Sequence, residues 1–315
     1  MVQFLSLLAP DIVRKRAGAP RRLTVALLLA SILCGECAAG SLSVATWNVE
    51  NYLPSNRRVD GVFRPGYPKP ESEKAALRAV IRAAAADVIA FQEMGDEVHL
   101  AELQRDLARD GMDYPHSAWL SSADTERHVA VLSKLPLVRV ERHSQVPVRY
   151  LGTDDSVKRG VLEVVLMAGA EEITLFVIHL KSRYTKRRDD PGSANQRAAE
   201  AVAIRDLVLE RFPDPASARF MIAGDFNDTR DNRPLRALTK RGDAAIARIL
   251  PAADDRGDAW THRYRRNESY SRVDFILVSP GLEAWAKSLA IRVVDTPRVR
   301  SASDHRPVVL TLEWE

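Results

Sequence analysis

Short apolar runs alternate with polar stretches along most of this chain. Ser43–Trp47, Asp87–Gln92, Val129–Leu132 and Arg219–Ala223 are four to six residues long, rich in Val, Ile, Ala and Phe, and read as strands. Val161–Met167 and Ile173–Ile178 predict two strands of a hairpin joined across Ala168–Glu172. Val273–Val278, stopped by Ser279-Pro280-Gly281, and the runs Ile291–Val294 and Val308–Trp314 complete the strand set. Helical spacing appears in three places. Lys74–Ala86 carries Leu77, Val80, Ile81 and Ala84 on one stripe, His99–Arg109 forms a second helix, and Ala194–Phe212 a third that ends before Pro213. Tyr52–Glu73, with Pro54, Pro65, Pro68 and Pro70, predicts a loop. Hairpins thus mix with strand–helix–strand units, which suits two layers of mixed sheet with helices outside.

The first 39 residues depart from this pattern. Arg14, Lys15, Arg16, Arg21 and Arg22 precede an uncharged, largely apolar run, Leu23–Cys34, and then Cys37, Ala38, Ala39 and Gly40. A basic segment, a short apolar core and small residues describe a secretory signal peptide cleaved after Ala39. The run is short for about 30 Å of hydrocarbon, so no stable membrane insertion is expected after cleavage. Leu33 and Glu36, which precede the two cysteines, are not the small residue that lipidation needs. The expected organisation is therefore a leader over 1–39, one catalytic domain over 40–315, and a periplasmic or secreted protein.

Removing the leader changes the charge. Taking its five basic and two acidic residues from the 46 and 42 of the whole chain leaves 41 against 40. Overall basicity then says little about nucleic acid. Both cysteines leave with the leader, which excludes disulfides and thiolate zinc from the remainder.

The chemistry lies where strands end. Val44–Trp47 runs into Asn48, Val88–Gln92 into Glu93, Leu175–Ile178 into His179, and Phe220–Gly224 into Asp225 and then Asn227. Ser271-Arg272-Val273 leads into Asp274, and Ser303-Asp304-His305 precedes Arg306-Pro307-Val308. A single polar residue at a strand end is usually a loop start. Six converging groups would make an oxygen-rich pocket with two histidines, suited to Mg²⁺ or Mn²⁺ (Ca²⁺ also admissible) and a phosphate.

Thr46-Trp47-Asn48-Val49-Glu50-Asn51, Phe91-Gln92-Glu93, His179-Leu180-Lys181-Ser182, Gly224-Asp225-Phe226-Asn227, Ser271-Arg272-Val273-Asp274-Phe275 and Ser303-Asp304-His305-Arg306-Pro307-Val308 together resemble the ordered motifs of the endonuclease/exonuclease/phosphatase superfamily. Its members include deoxyribonuclease I-type and exonuclease III-type nucleases, inositol polyphosphate 5-phosphatases and neutral sphingomyelinases. The resemblance implies a four-layer α/β sandwich, two mixed β-sheets face to face with helices outside. It implies in-line attack of water on phosphorus with a divalent metal. By motif position, Glu93, Asn48 and Asp304 correspond to the metal group. His179, Asp225, Asn227, Asp274 and His305 correspond to the catalytic group, with Asp274 orienting His305 and with Asp225 or His305 as base. Asp225 and Asn227, two apart on an extended backbone, are expected to face one phosphate.

Arg127, Lys181, Arg183, Arg187, Arg188 and Arg272 flank these motifs and are candidate phosphate contacts, each with solvated surface as the alternative. Trp260 and Tyr264 stand either to stack on a base or to pack the loop. The basic loops favour nucleic acid as substrate, DNA or RNA. The alternative is a small or lipid phosphate ester such as a phosphoinositide or sphingomyelin, against which the sequence shows no apolar hairpin of membrane-binding type. A non-catalytic binder on the same scaffold would have lost site residues, and none is lost. No protein partner is implied, and a monomer is expected.

Overall fold

The computed structural model describes residues 39–315. The expected leader, apart from Ala39, lies outside the described residues. Two six-stranded mixed sheets carry the fold. The first runs, edge to edge, Ser288–Val293, Val308–Trp314, Gly40–Tyr52, Val88–Met94, His128–Ser133 and His116–Leu120. The second runs Arg248–Ile249, Asp274–Val278, Phe220–Asp225, Glu171–His179, Val161–Ala168 and Arg139–His143. Each sheet holds one parallel pair, Gly40–Tyr52 with Val88–Met94 and Glu171–His179 with Phe220–Asp225. Within each pair a helix returns the chain, as parallel strands require.

The alternation of strand side chains builds the layers. Leu42, Val44, Val88, Ala90, Val129 and Val131 point from the first sheet into a core shared with Leu162, Val164, Leu175, Val177, Met221 and Ala223 of the second. Their neighbours point the other way. Ala45, Trp47, Ile89 and Phe91 pack under the helices Glu71–Ala84 and Glu97–Arg109. Phe176, Ile178, Phe220 and Ile222 pack under Ala194–Arg211. The result is the expected four-layer α/β sandwich. In the first helix Leu77, Val80, Ile81 and Ala84 form the buried stripe, and Ala85, at φ 53°, ends it in the left-handed conformation. Each such aliphatic chain contributes about 1.5–3 kcal/mol by leaving water, so Leu77→Ala is the kind of change that unseats this helix.

The region expected as a loop over 52–73 holds a hairpin instead, Ser55–Val59 with Val62–Tyr67. Asp60 and Gly61 turn it at φ 52° and 78°, as a two-residue turn with positive φ at both positions demands. The Asp-Gly pair between valines is its local signal, obscured by the four prolines. No described helix is long and apolar enough to cross a membrane.

Candidate active site

On four central strands the row facing the other sheet is apolar until one end of the sandwich, where it turns polar. Leu42 and Val44 lead to Thr46 and Asn48, and Val88 and Ala90 to Gln92. Leu175 and Val177 lead to His179, and Met221 and Ala223 to Asp225. Asp274–Val278 runs antiparallel to its neighbour, so its first residue meets the last of Phe220–Asp225, and Asp225 pairs with both His179 and Asp274. Period-two alternation therefore delivers an amide, a histidine and two carboxylates to one end of the inter-sheet layer.

Gly224 permits this approach. A Cβ there would lie 1.9 Å from the Ile178 carbonyl oxygen, so only glycine lets the two parallel strands run this close. The strand stops at Asp225. Asn227 sits at φ 51°, not in the extended conformation expected for it, and its side chain curls back. Its Nδ2 donates to the Leu180 carbonyl at 3.0 Å and to Asp225 Oδ2 at 3.2 Å, and its backbone N–H donates to Asp225 Oδ1 at 2.8 Å. Asn227 thus orients Asp225 rather than reaching out beside it.

Asp225 is the centre of the group. Asn48 Nδ2 donates to its Oδ2 at 3.0 Å, His179 Nε2 lies 3.6 Å away, and His305 Nε2 4.0 Å away. His305 Nδ1 is 2.8 Å from Asp274 Oδ2, and both residues are buried. His305 is fixed from behind as well: its N–H donates to Ser303 Oγ, Ser303 Oγ donates to the Asn48 carbonyl, and Trp47 Nε1 donates to the His305 carbonyl. Neither ring nitrogen of buried His179 has a hydrogen-bond partner, nor does Asp274 Oδ1. Such orphans cost about 1–3 kcal/mol each, and a ligand's donor or acceptor placed among them would satisfy them.

The electrostatics follow from this crowding. Burial, then Asp274, raises the Asp225 carboxyl to about 7. Burial opposes charge on His305, but Asp274, Asp225 and Asp304 outweigh it and hold the imidazole well above its ordinary value. His179 is pushed well below, by burial first and then by the nearby Arg159 and His305 charges.

A second carboxylate group stands beside this one. Glu93 lies at φ 59° in an irregularity of the pairing between Phe91 and Met94, which turns it out of the alternation. Its Oε2 accepts the Asn51 N–H at 3.0 Å. Glu50 and Asn51 are also left-handed, at φ 47° and 54°. Glu50 Oε2 accepts the Asp304 N–H at 2.9 Å, and Arg265 forks onto both Glu50 oxygens at 2.8 and 2.9 Å. Asp304 is raised by burial and by Glu93, though His305 draws it down, and Glu50 by burial and Asp304. Carboxylate oxygens gathered at one edge in this way fit a hard divalent cation. Glu93 and Asp304 would hold it. Asn48 is the third expected ligand, but its Nδ2 is spent on Asp225 and its Oδ1 accepts the Glu50 N–H at 3.0 Å.

Three residues escaped the sequence reading. Glu50 follows Asn48 by two, but the backbone turns between them. His262 lies with its ring 4.5 Å from that of His305 and its Nε2 3.8 Å from Asp304, and burial with the His305 charge lowers it to about 4. Arg159 is buried with Nε 2.9 Å from Asp124. Only Glu50 had a signal, its place in Asn-Val-Glu.

The six basic candidates divide. Arg127 Nε donates to Asn51 Oδ1 at 2.9 Å, beside Glu93, and Arg183 reaches the Asn227 carbonyl and Asp228. Arg188 is exposed. The other three are spent elsewhere. Lys181 Nζ folds onto the Ser182 and Tyr184 carbonyls of its own loop, and Arg187 forks onto Asp189. Arg272 donates to the Leu250 carbonyl and covers the Phe275 ring at 4.7 Å. Trp260 packs, under Arg306 at 3.5 Å and against Tyr270.

Residues 45–305 match the model of the Endonuclease/Exonuclease/phosphatase family, from the strand that carries Asn48 to His305. The chain belongs to the endonuclease/exonuclease/phosphatase family. It is a metal-dependent phosphoric ester hydrolase, as this family's enzymes are. No curated protein matches it significantly. Among solved structures, a beta toxin of Staphylococcus aureus is 19% identical, with 85% of this chain and 99% of that one covered and a TM-score of 0.62. Sphingomyelinase C of Streptomyces griseocarneus is 20% identical, with 86% and 99% covered and a TM-score of 0.58. The human Nocturnin catalytic domain is 16% identical, with 86% and 94% covered and a TM-score of 0.59. At these identities the likeness establishes the shared sandwich.

Proposed function

We propose that this family member is an exported nuclease that cleaves a phosphodiester of DNA or RNA, with Mg²⁺ as its metal. The single observation that carries the hydrolytic assignment is the convergence of Asn48, His179, Asp225, Asp274 and His305 on one end of the inter-sheet layer. The bound metal would neutralise phosphoryl oxygens and lower the pKa of water. Glu93 and Asp304 would hold it, with Glu50 and Asn51 fixing their positions. Asp225, raised to about 7 and held by Asn48 and Asn227, is placed to take the proton of the attacking water. His305, kept protonated by Asp274, presents Nε2–H to the phosphate or the leaving oxygen. His179, kept neutral, offers a further donor. Magnesium is bound in a structure of S. aureus beta toxin, which supports the choice of metal.

The nucleic-acid reading is supported by the cations at the edge of the site, Arg127 and Arg183, and by exposed Arg188 in the adjoining loop. A second reading, a lipid phosphodiesterase, is favoured by one feature that the sequence reading had placed in a loop. The Ser55–Tyr67 hairpin exposes Val62 and Phe63, at 57% and 59%, beside Arg58 and Arg64. Its Arg57 donates to the Asn51 carbonyl, next to the Glu93 group. Turnover of single-stranded DNA, RNA, plasmid DNA and sphingomyelin vesicles with Mg²⁺ tests the two. Hydrolysis of sphingomyelin without cleavage of any nucleic acid rejects the nuclease.

A further inference from the structure

A groove of about 1030 Å³ lies between the helices Ala194–Arg211 and Arg233–Thr239 and the hairpin of Pro147–Tyr150 with Thr153–Ser156. Its floor is aliphatic, formed by Val148, Ala198, Ala199, Val202 and Ala203. Its rim is cationic, with Arg149, Arg233, Arg236 and Lys240 all exposed. Asp206 is the one carboxylate among the lining residues, and Arg205 already holds it through Nε and Nη2 at 2.9 and 2.8 Å. Arg233 is braced by Asn195 Oδ1 at 2.9 Å. The rim therefore faces the groove with positive charge unmatched by its lining.

One end of the groove adjoins the catalytic group. The chain passes from Asp225 through Asn227 to Asp228, whose carboxylate accepts from Asn232 Nδ2 and, at 3.0 Å, from Arg197 Nε. Asn232 is followed by Arg233, and Arg197 lies between the lining residues Asn195 and Ala198 on the same helix, so the near rim and the catalytic loop share Asp228. From Asn195 to Asp206 the helix rises about 17 Å, which matches about five stacked nucleotides. Arg187 lies over the ring of Tyr150, itself a lining residue, at 5.3 Å.

We propose that this groove binds the single-stranded portion of a nucleic-acid substrate as it leaves the catalytic end. This rests on the nuclease reading and adds to it a substrate class, a flexible single strand several nucleotides long. A single strand offers phosphates to a cationic rim and, at the same time, sugar and base faces to an apolar floor. A duplex keeps its bases stacked inside and would leave the floor unused. An isolated phosphate ester would engage one rim residue and gain nothing from the length.

The test uses Arg149→Gln/Arg236→Gln/Lys240→Gln, three exposed side chains outside the catalytic group, with Arg236→Glu as a lighter second variant. Hydrolysis of bis-p-nitrophenyl phosphate and of a dinucleotide should be unchanged in both. For a 20-nucleotide single strand, KM should rise roughly tenfold in the triple variant, and the slope of log affinity against log salt should fall by about 2, at about 0.7 for each lost phosphate contact. A variant that keeps the parent's KM and salt slope on the 20-mer overturns the groove assignment while leaving the nuclease reading intact. A parent that hydrolyses bis-p-nitrophenyl phosphate but neither cleaves nor binds any oligonucleotide overturns both. Loss of binding to phosphatidylglycerol vesicles, with oligonucleotide binding retained, reassigns the groove to a membrane surface and also overturns the proposal.

Discussion

Replacing Asp274 by Asn keeps the shape of the site and removes one charge. Asp274 is fully buried, and its Oδ2 lies 2.8 Å from His305 Nδ1. With charge centres about 4 Å apart and an effective dielectric constant of about 20, their attraction is about 4 kcal/mol, which favours the protonated ring. In the parent, burial disfavours the imidazolium, and Asp274 is the largest of the charges that reverse this. The charged ring is therefore present below a raised pKa and is lost only as pH rises through it. In Asp274→Asn that loss should move to lower pH, and the alkaline fall of kcat/KM should move with it. Near neutrality the rate should drop by about 10²- to 10⁴-fold, the range of a positioned acid–base group. His305→Ala should lose a similar factor, and the double variant should be little worse than His305→Ala alone, because the two act as a unit. The assay is kcat/KM on bis-p-nitrophenyl phosphate at saturating Mg²⁺ from about pH 5 to 10, with thermal unfolding to confirm the fold. Losses that multiply in the double variant would refute the pairing and move Asp274 to another task.

Further outcomes follow from other residues. Glu93→Ala should weaken Mg²⁺ binding in calorimetry and leave the metal-free unfolding temperature nearly unchanged; unaltered affinity would remove Glu93 from the metal site. Gly224→Ala should destabilise the protein by about 1–3 kcal/mol and lower activity out of proportion, because a Cβ there meets the Ile178 carbonyl and displaces Asp225; wild-type turnover would contradict this. Asp254→Asn should cost about 3–5 kcal/mol by breaking the buried pair with Arg306, 2.8 Å away. Burial raises the Asp254 carboxyl, but the Asp258 and Arg256 N–H groups and Arg306 draw it down to about 2. Its contribution is thus present above the ordinary carboxylate pKa and lost as pH falls towards 2, so the stability gap between parent and variant in urea should shrink there; a constant gap would count against it. Export predicts an N-terminus near Gly40 on protein taken from the periplasm or medium, and intact 1–39 on a cytosolic protein would sink it.

Which residues end the apolar rows of the candidate site was legible before any contact was known. A strand's side chains alternate, so an apolar row ending in Asn48, His179 or Asp225 already places that residue on a core-facing row at a strand end. The stripe Leu77, Val80, Ile81 and Ala84 likewise follows from the helical period, which is a property of the local backbone. What the tertiary structure alone decided is which of these ends meet, and where each charge is spent. Asp274 lies beside Asp225 because an antiparallel strand brings its first residue to its neighbour's last, and His305 meets it from the segment that leads into a strand of the other sheet. Glu93 and Asn227 leave the alternation through left-handed residues that no period announces. Glu50 and His262 join the site from backbone turns, and the Ser55–Tyr67 hairpin rises from a segment that its prolines made look irregular. Lys181, Arg187 and Arg272 resemble phosphate contacts in sequence, yet a carbonyl or a carboxylate within reach captures each of them. A cation's partner depends on groups that the fold brings near, often from distant parts of the chain, whereas the face it starts from depends on its own few neighbours.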